Sequence, residues 1–118
     1  MFDFLKTLVD VQVKDIEADL YPTPDCPFGG KAEVEFEASH SGKAKLKISI
    51  KHTSVPDGTH VDVYAAGNFI DSITTQGGRA KKYLEFAAGE TLPAMEVGDS
   101  AQIEINGHVC YRGEFHLD

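Results

Sequence analysis

Strict alternation of apolar and charged residues between positions 31 and 51 constrains the fold more than any other feature of this chain. In "KAEVEFEASHSGKAKLKISIK", every second residue is apolar on both sides of the Ser-His-Ser-Gly break. A period of two is typical of a β-strand with one buried and one solvated face, and a short break that contains glycine joins two such strands. The segment is therefore predicted to be an antiparallel hairpin.

The charges of this hairpin predict its register, because the first arm is acidic and the second is basic. The register that opposes acid to base at every step pairs Glu37 with Lys43, Glu35 with Lys45 and Glu33 with Lys47. We therefore expect Glu35 and Lys45 to be direct or near-direct neighbours on a solvated face. Phe36 and Ile48 should be buried on the opposite face, since a one-residue slip would exchange the two faces.

Alternation recurs along the rest of the chain between clusters of turn residues. "VQVKDIEADL" changes parity between Val13 and Ile16, which predicts a bulge near Lys14 and Asp15. "YPTPDCPFGG" is predicted to be a loop, because proline cannot donate to a sheet ladder. "HVDVYAAGNFIDSITT" and "SAQIEINGHVCYRGEFHLD" predict two further hairpins, the second around an Asn-Gly turn, and "RAKKYLEF" favours a strand.

Seven or eight short strands at this spacing indicate an antiparallel sandwich or an open barrel, and we expect the sandwich. A length of 118 residues argues for one domain. Phe2, Leu5, Leu8 and Val9 recur at helical spacing. The predicted organisation is therefore a short N-terminal helix over residues 1–10, packed on a β-sandwich over residues 11–118.

The N-terminal segment is also the predicted interface. A terminus this apolar would lose the free energy of burying several large side chains if it stayed in water. We expect it to dock either on another subunit or on one open end of its own sandwich. The interface residues are Phe2, Phe4, Leu5, Leu8 and Val9.

Charge and hydropathy exclude some partners. The formal net charge of −8 repels phosphate backbones and anionic membrane surfaces. The first residues lack a secretory signal, and no segment reaches the roughly 20 apolar residues that a membrane span needs. The sequence thus predicts a cytoplasmic protein that binds neither nucleic acid nor membrane.

The two cysteines, Cys26 and Cys110, do not form a zinc signature. Because disulfides are rare in the cytosol, we expect no bridge between them. Pairing across the Asn-Gly turn places Cys110 on the core side. Phe115 and Leu117 have the opposite parity and are also predicted to be core, which a bulge at Gly113 would explain.

No catalytic template fits the chain. Gly29-Gly30-Lys31 precedes a predicted strand, whereas a phosphate-binding loop precedes a helix, and no serine lies in a nucleophile elbow. His108 and His116 would lie about 26 Å apart in a regular strand, too far to share one metal ion. The alternative metal site surrounds the "TSVPDGT" turn, although parity turns its two histidines to opposite faces. Its residues are His52, His60, Asp57 and Asp62.

The segments "PDGTHVDVYAAGNFIDSITTQGGRA" and "GETLPAMEVGDSAQIEINGHVCYRGEF" resemble small, uncharacterised bacterial β-sandwich domains. The shared features are a Gly-Thr before a strand, an Ile-Thr-Thr strand, a Gly-Arg-Ala strand start and a Pro-x-x-x-x-Gly loop. The resemblance covers about half the chain and implies a β-sandwich. It implies no activity and no functional residue.

The function predicted from these features is a non-catalytic binding or structural module that forms a homo-oligomer and needs no cofactor. Its grounds are the failed catalytic templates, the apolar terminus and sheet edges that can pair with other chains. One alternative is a small metal-binding protein or enzyme that uses the turn with His52 and His60. A second alternative is a carrier with a small-ligand pocket at one end of the sandwich.

Overall fold

Eight antiparallel strands make up most of the residues that the computed structural model describes, which are 12–87 and 95–118. They form one sheet in the order β5-β4-β7-β8-β1-β2-β3-β6. The strands are β1 (Gln12–Pro22), β2 (Lys31–Ser39), β3 (Ala44–Lys51), β4 (His60–Ala65), β5 (Asn68–Thr74), β6 (Ala80–Phe86), β7 (Ser100–Ile105) and β8 (His108–Leu117).

The sheet curls until its two edge strands approach each other, so that it forms a nearly closed barrel. β5 and β6 follow one another in sequence but lie at opposite edges of the sheet. The ion pair between Lys82 Nζ and Asp71 Oδ2, at 2.6 Å, spans the seam between these edges. Side chains at alternate positions of the strands point into the barrel and form its apolar core. The largest fully buried side chains include Tyr111, Phe115, Ile16 and Leu20.

The predicted all-β antiparallel class is confirmed, but the predicted two-sheet sandwich is wrong, because the eight described strands form a single barrel-like sheet. β8 pairs with β7 through residues 108–114 and with β1 through residues 111–117, and this overlap joins all strands into one sheet. Residues 12–87 and 95–118 contain no helix, so this part of the chain has no helix long and apolar enough to cross a membrane. The predicted helix over residues 1–10, with its interface residues, lies outside the described residues.

The first hairpin has the predicted faces but a register shifted by two residues. Phe36 and Ile48 are buried, at 5% and 0% exposure, which confirms the predicted parity. Glu35 lies opposite Lys47 and is the diagonal, near-direct neighbour of Lys45. The turn explains the shift. The Gly42 amide donates to the Ser39 carbonyl at 3.0 Å, and Gly42 itself has a φ of 94°. A tight turn followed by a left-handed glycine makes a longer hairpin loop than charge pairing alone suggests.

The last hairpin turns at Asn106 and Gly107 as predicted, with φ angles of 54° and 80°. Its bulge differs from the prediction. The register shifts between Ile103 and Glu104, so that Cys110 is the extra residue of β8 and both Cys110 and Tyr111 are buried. The bulge therefore precedes Gly113.

The two core residues predicted after Gly113 have different outcomes. Phe115 is buried, at 2% exposure, whereas Leu117 is 76% exposed. The prediction for Leu117 is wrong because this residue pairs with Ile16 at the last rung of the β1–β8 ladder. A side chain at the rim of a barrel has core neighbours on one side only. In β1, the predicted irregularity lies between Gln12 and Lys14, close to the expected position.

Candidate functional site

The four residues of the predicted metal site lie on three different elements. His52 follows β3, Asp57 lies in the turn, and His60 and Asp62 belong to β4. The Asp57 carboxylate accepts a hydrogen bond from the Gly77 amide at 2.9 Å, so it fixes the turn between β5 and β6. His60 Nδ1 lies 3.3 Å from Thr74 Oγ1 on the neighbouring strand. Each of these two side chains thus has a structural partner.

Other acidic residues lie closer together than those four. Among the residues that the structure describes, two sets of three possible ligands have their ligand atoms within 4.8 Å of one another. These sets are Glu17 with Asp19 and His116, and Glu17 with Glu35 and Asp118. Neither set contains His52, Asp57, His60 or Asp62, so the metal site at that turn stays a prediction without support from the geometry.

Glu17, Asp19 and Glu35 belong to what we call the carboxylate ladder, three acidic pairs that face each other across β1 and β2. The ladder consists of Asp15 opposite Glu37, Glu17 opposite Glu35, and Asp19 opposite Glu33. Like charges directly opposite each other destabilise a sheet. Within residues 12–87 and 95–118, Asp19 is the one member with a basic nitrogen within 4.0 Å, namely His116 Nε2 at 3.2 Å, which is charged only when the imidazole is protonated. The outer face of β1 and β2 therefore carries an excess of negative charge, although Lys47 and Lys45 of β3 lie opposite Glu35 and Glu37.

Burial and neighbouring acidic groups raise the pKa values of three carboxyl groups in the carboxylate ladder. Burial, followed by the charge of Asp118, raises the pKa of Asp15. Burial and then the charges of Asp118 and Asp19 raise the pKa of Glu17. A hydrogen bond with Glu33, followed by burial, raises the pKa of Glu35. All three carboxyl groups therefore hold their protons more tightly in the folded protein than in the unfolded chain.

Sequence reasoning found half of the carboxylate ladder. It placed the β2 glutamates on a solvated face beside the lysines of β3, and Lys45 and Lys47 do lie there. It missed the second acidic strand on the other side of β2. The signal was present in "KDIEADL", where acidic residues alternate with Ile16, Ala18 and Leu20. Nothing in that segment, however, indicates that β1 pairs with β2.

The Glu17→Gln substitution is expected to raise the free energy of unfolding at pH 7 by about 0.5 kcal/mol, the scale of one repulsive cross-strand pair. Because the folded-state pKa of Glu17 is raised, its stabilising contribution is full below the unfolded value of about 4.3 and is lost as pH rises through the folded value. The gain from the substitution should therefore disappear by about pH 3. Urea unfolding at both pH values measures it.

The matched control is Asp25→Asn, which also removes one negative charge, but from an exposed loop outside the carboxylate ladder. It should leave stability unchanged within about 0.3 kcal/mol, as most surface substitutions do. Equal effects of the two substitutions at pH 7 would mean that net charge matters and the ladder does not.

The second feature of interest is the edge strand β6, which pairs with β3 and with no other described strand. Its outward-facing residues are Lys81, Tyr83 and Glu85, and we call this row the β6 edge. Tyr83 is 64% exposed, and Lys81 Nζ lies 5.3 Å from the centre of its ring. An unpaired edge offers backbone N–H and C=O groups to another strand.

The opposite edge, β5, is partly occupied. Asp71 Oδ1 accepts a hydrogen bond from the Ser72 amide at 2.7 Å, and Asp71 Oδ2 binds Lys82 across the seam. Although burial tends to raise the pKa of Asp71, the hydrogen bonds from Lys82 and Ser72 hold it below the usual value. A bulge between Val63 and Tyr64 further interrupts the β4–β5 register. The Lys82–Asp71 ion pair crosses the seam and so involves both edges, but the bulge makes β5 a less regular template for strand pairing than β6.

A disulfide joins Cys26 to Cys110, so the prediction of two free thiols is wrong. The proline-rich loop after β1 folds back onto the bulge of β8 and brings the two Cα atoms within 4.8 Å, although the residues are 84 positions apart. The prediction relied on the expected compartment, which carries no information on distance. The expected burial of Cys110 is confirmed, at 4% exposure.

Comparisons with models of known protein families and with curated protein sequences find no match to this chain. The resemblance to small bacterial β-sandwich domains stays a prediction. The function must therefore be inferred from the geometry of the chain itself.

Proposed function

We propose that this domain is a non-catalytic binding module that self-associates, and that two copies pair through the β6 edge. The observation that supports the proposal is that, among the described residues, β6 is hydrogen-bonded to another strand on one side only, since the seam to β5 is bridged by side chains and not by a ladder. Pairing with a second β6 would continue the sheet from one copy into the other, which is a common mode of strand addition. A homodimer of this kind has twofold symmetry, so each residue of the strand has a defined partner.

The sequence of β6 complements itself in one antiparallel register. A twofold axis at Tyr83 places Lys81 of each copy opposite Glu85 of the second copy, and the two Tyr83 rings opposite each other. Opposite-charge and aromatic cross-strand pairs each stabilise a sheet by about 0.2–1 kcal/mol. The register thus forms two ion pairs and one aromatic pair on a single face.

Lysine on an edge strand often prevents unwanted pairing, and Lys81 and Lys82 could serve that purpose. The proposed register, with its twofold axis at Tyr83, favours a role of these lysines in association over a role in preventing it. Lys82 already binds Asp71 within its own chain, and Lys81 meets an acidic residue of the second copy. The same pairing about the centre of β5 would place Asp71 opposite Asp71, which opposes association through that edge.

Charge reversal at the β6 edge tests this register. Lys81→Glu should raise the dimer dissociation constant at least about tenfold, because it turns both ion pairs into repulsive pairs, a change of about 1.4 kcal/mol or more. Glu85→Lys should have a similar effect. The double variant K81E/E85K should restore association, since the swapped charges again face each other. Sedimentation velocity across a dilution series measures the dissociation constant.

The control is Lys31→Glu, which reverses an exposed charge at the start of β2, two strands away from β6. It should leave association unchanged. A wild-type protein that stays monomeric at high concentration contradicts self-association. A dimer that both single variants and the double variant weaken equally contradicts the register, but leaves another interface to be found.

Two further expectations belong to this proposal. A second apolar contact between the copies would come from the N-terminal residues Phe2, Phe4, Leu5, Leu8 and Val9. Deleting residues 1–9 and measuring the mass in solution tests this contact.

A cytoplasmic location would require the Cys26–Cys110 pair to be reduced there, because cytosolic thiol systems keep cysteines reduced. Oxidising surroundings would preserve the bridge.

A further inference from the structure

The disulfide lies beside an open groove of about 820 Å³ between the loop after β1 and the tip of the β7–β8 hairpin. We call it the disulfide groove. Both cysteines line it, together with Asp25, His108 and Arg112. The two sulfur-bearing residues differ in access: Cys26 is partly exposed, whereas Cys110 is 4% exposed in the core. A solute in the groove can therefore reach the residue on the loop more readily than the residue on the strand.

The loop that carries Cys26 is anchored at both ends without the disulfide. At its start, the Thr23 amide donates to the Cys110 carbonyl at 2.8 Å, and Thr23 Oγ1 donates to the Val109 carbonyl at 3.0 Å. At its end, the Ser54 amide donates to the Phe28 carbonyl at 2.8 Å.

A buried network strengthens the second anchor. The Tyr111 hydroxyl donates to the Gly29 carbonyl at 2.6 Å and lies 2.8 Å from Thr53 Oγ1. Tyr111 is fully buried, so these hydrogen bonds are shielded from water. Opening the disulfide would therefore release residues 24–27 while the flanking backbone stays in place. Such a local change is compatible with a domain that remains folded.

We propose that the disulfide groove is a thiol–disulfide exchange site at which small thiols of the glutathione class attack Cys26. The incoming thiolate forms a bond to Cys26 Sγ, the bond between the two cysteine sulfurs breaks, and Cys110 leaves as a thiolate that takes up a proton. A second thiol then attacks the mixed disulfide and leaves Cys26 as a thiol. In total, two thiols are oxidised to one disulfide and the protein disulfide is reduced to two thiols. The direction of attack follows from access, which is one of the factors that control exchange.

The test exposes the oxidised full-length protein to reduced glutathione in native buffer, quenches with acid, alkylates free thiols and maps both cysteines by mass spectrometry. We expect the glutathione adduct on Cys26 and the alkyl group on Cys110, with an unchanged circular dichroism spectrum. An adduct mainly on Cys110 overturns the proposal. So does reduction that occurs no faster than global unfolding, measured by hydrogen exchange of core amides.

Two single variants give an independent measure of access. Cys110→Ser leaves Cys26 as the free thiol, and Cys26→Ser leaves Cys110. The first should react with an aromatic disulfide reagent at least about tenfold faster than the second, because reactivity of a thiol falls with its burial. Equal rates in two folded variants contradict the proposal. If either variant fails to fold, the adduct map on the wild-type protein decides by itself.

Discussion

Replacing both cysteines with alanine is expected to lower the free energy of unfolding by about 4 kcal/mol. The bridge closes a loop between residues 84 positions apart, and a cross-link over such a length removes many conformations from the unfolded chain. Urea unfolding of the oxidised wild-type protein and of the C26A/C110A variant measures the difference. Since small domains have stabilities of about 5–15 kcal/mol, the variant should still fold.

Reduction provides the control for this prediction. Wild-type protein unfolded with a reductant present should approach the stability of C26A/C110A, whereas the variant itself should not respond to the reductant. A loss of less than about 1 kcal/mol on reduction would mean that the unfolded chain gains little freedom when the bridge opens, contrary to the loop-entropy argument.

The substitution Gly113→Ala is expected to cost about 3 kcal/mol or more, the upper end for overpacking a well-packed interior. A Cβ atom at position 113 would clash with the Asp19 carbonyl oxygen and would lie 2.9 Å from its carbonyl carbon. These are backbone atoms of β1, so no side chain can rotate away. The two strands would have to separate where β8 joins both halves of the sheet. Denaturant unfolding measures the loss.

Gly107→Ala is the matched control, because Gly107 lies at the tip of the same hairpin with open space around its Cα. Its φ of 80° is unfavourable for alanine, so this substitution should cost about 1–2 kcal/mol through backbone strain alone. If Gly113→Ala costs no more than Gly107→Ala, then β1 and β8 can move apart freely and the close approach is not essential.

The parity of β2 and β3 could be predicted from the sequence, because it depends on local alternation. Phe36 and Ile48 are buried for that reason, and the Asn-Gly turn forms where Asn106 and Gly107 adopt positive φ. The exact register could not be predicted, because it depends on the conformation of the turn. With Gly42 in the left-handed region, Glu35 pairs with Lys47 and not with Lys45. A charge pattern that repeats every two residues fits both registers.

Which strands pair with one another could not be predicted from the sequence, for a different reason. The carboxylate ladder exists because β1 pairs with β2, and the disulfide exists because the loop after β1 reaches β8. Both are contacts between distant segments, which hydrophobic periodicity does not specify. The metal prediction at His52 and His60 used proximity in sequence, whereas one clustered acidic set comes from β1, β2 and the residue that follows β8. Only the three-dimensional arrangement brings Glu17, Glu35 and Asp118 together.

The double role of β8 affects the order in which the domain can mature during synthesis. β8 is the last of the eight strands to leave the ribosome, yet it lies between β7 and β1 and connects the two parts of the sheet. Until it emerges, β1 and β7 each present an unpaired side, and such sides attract other chains. Contacts between distant segments also slow folding. Chaperones that shield exposed strand edges would therefore be needed most just before the final hairpin is complete.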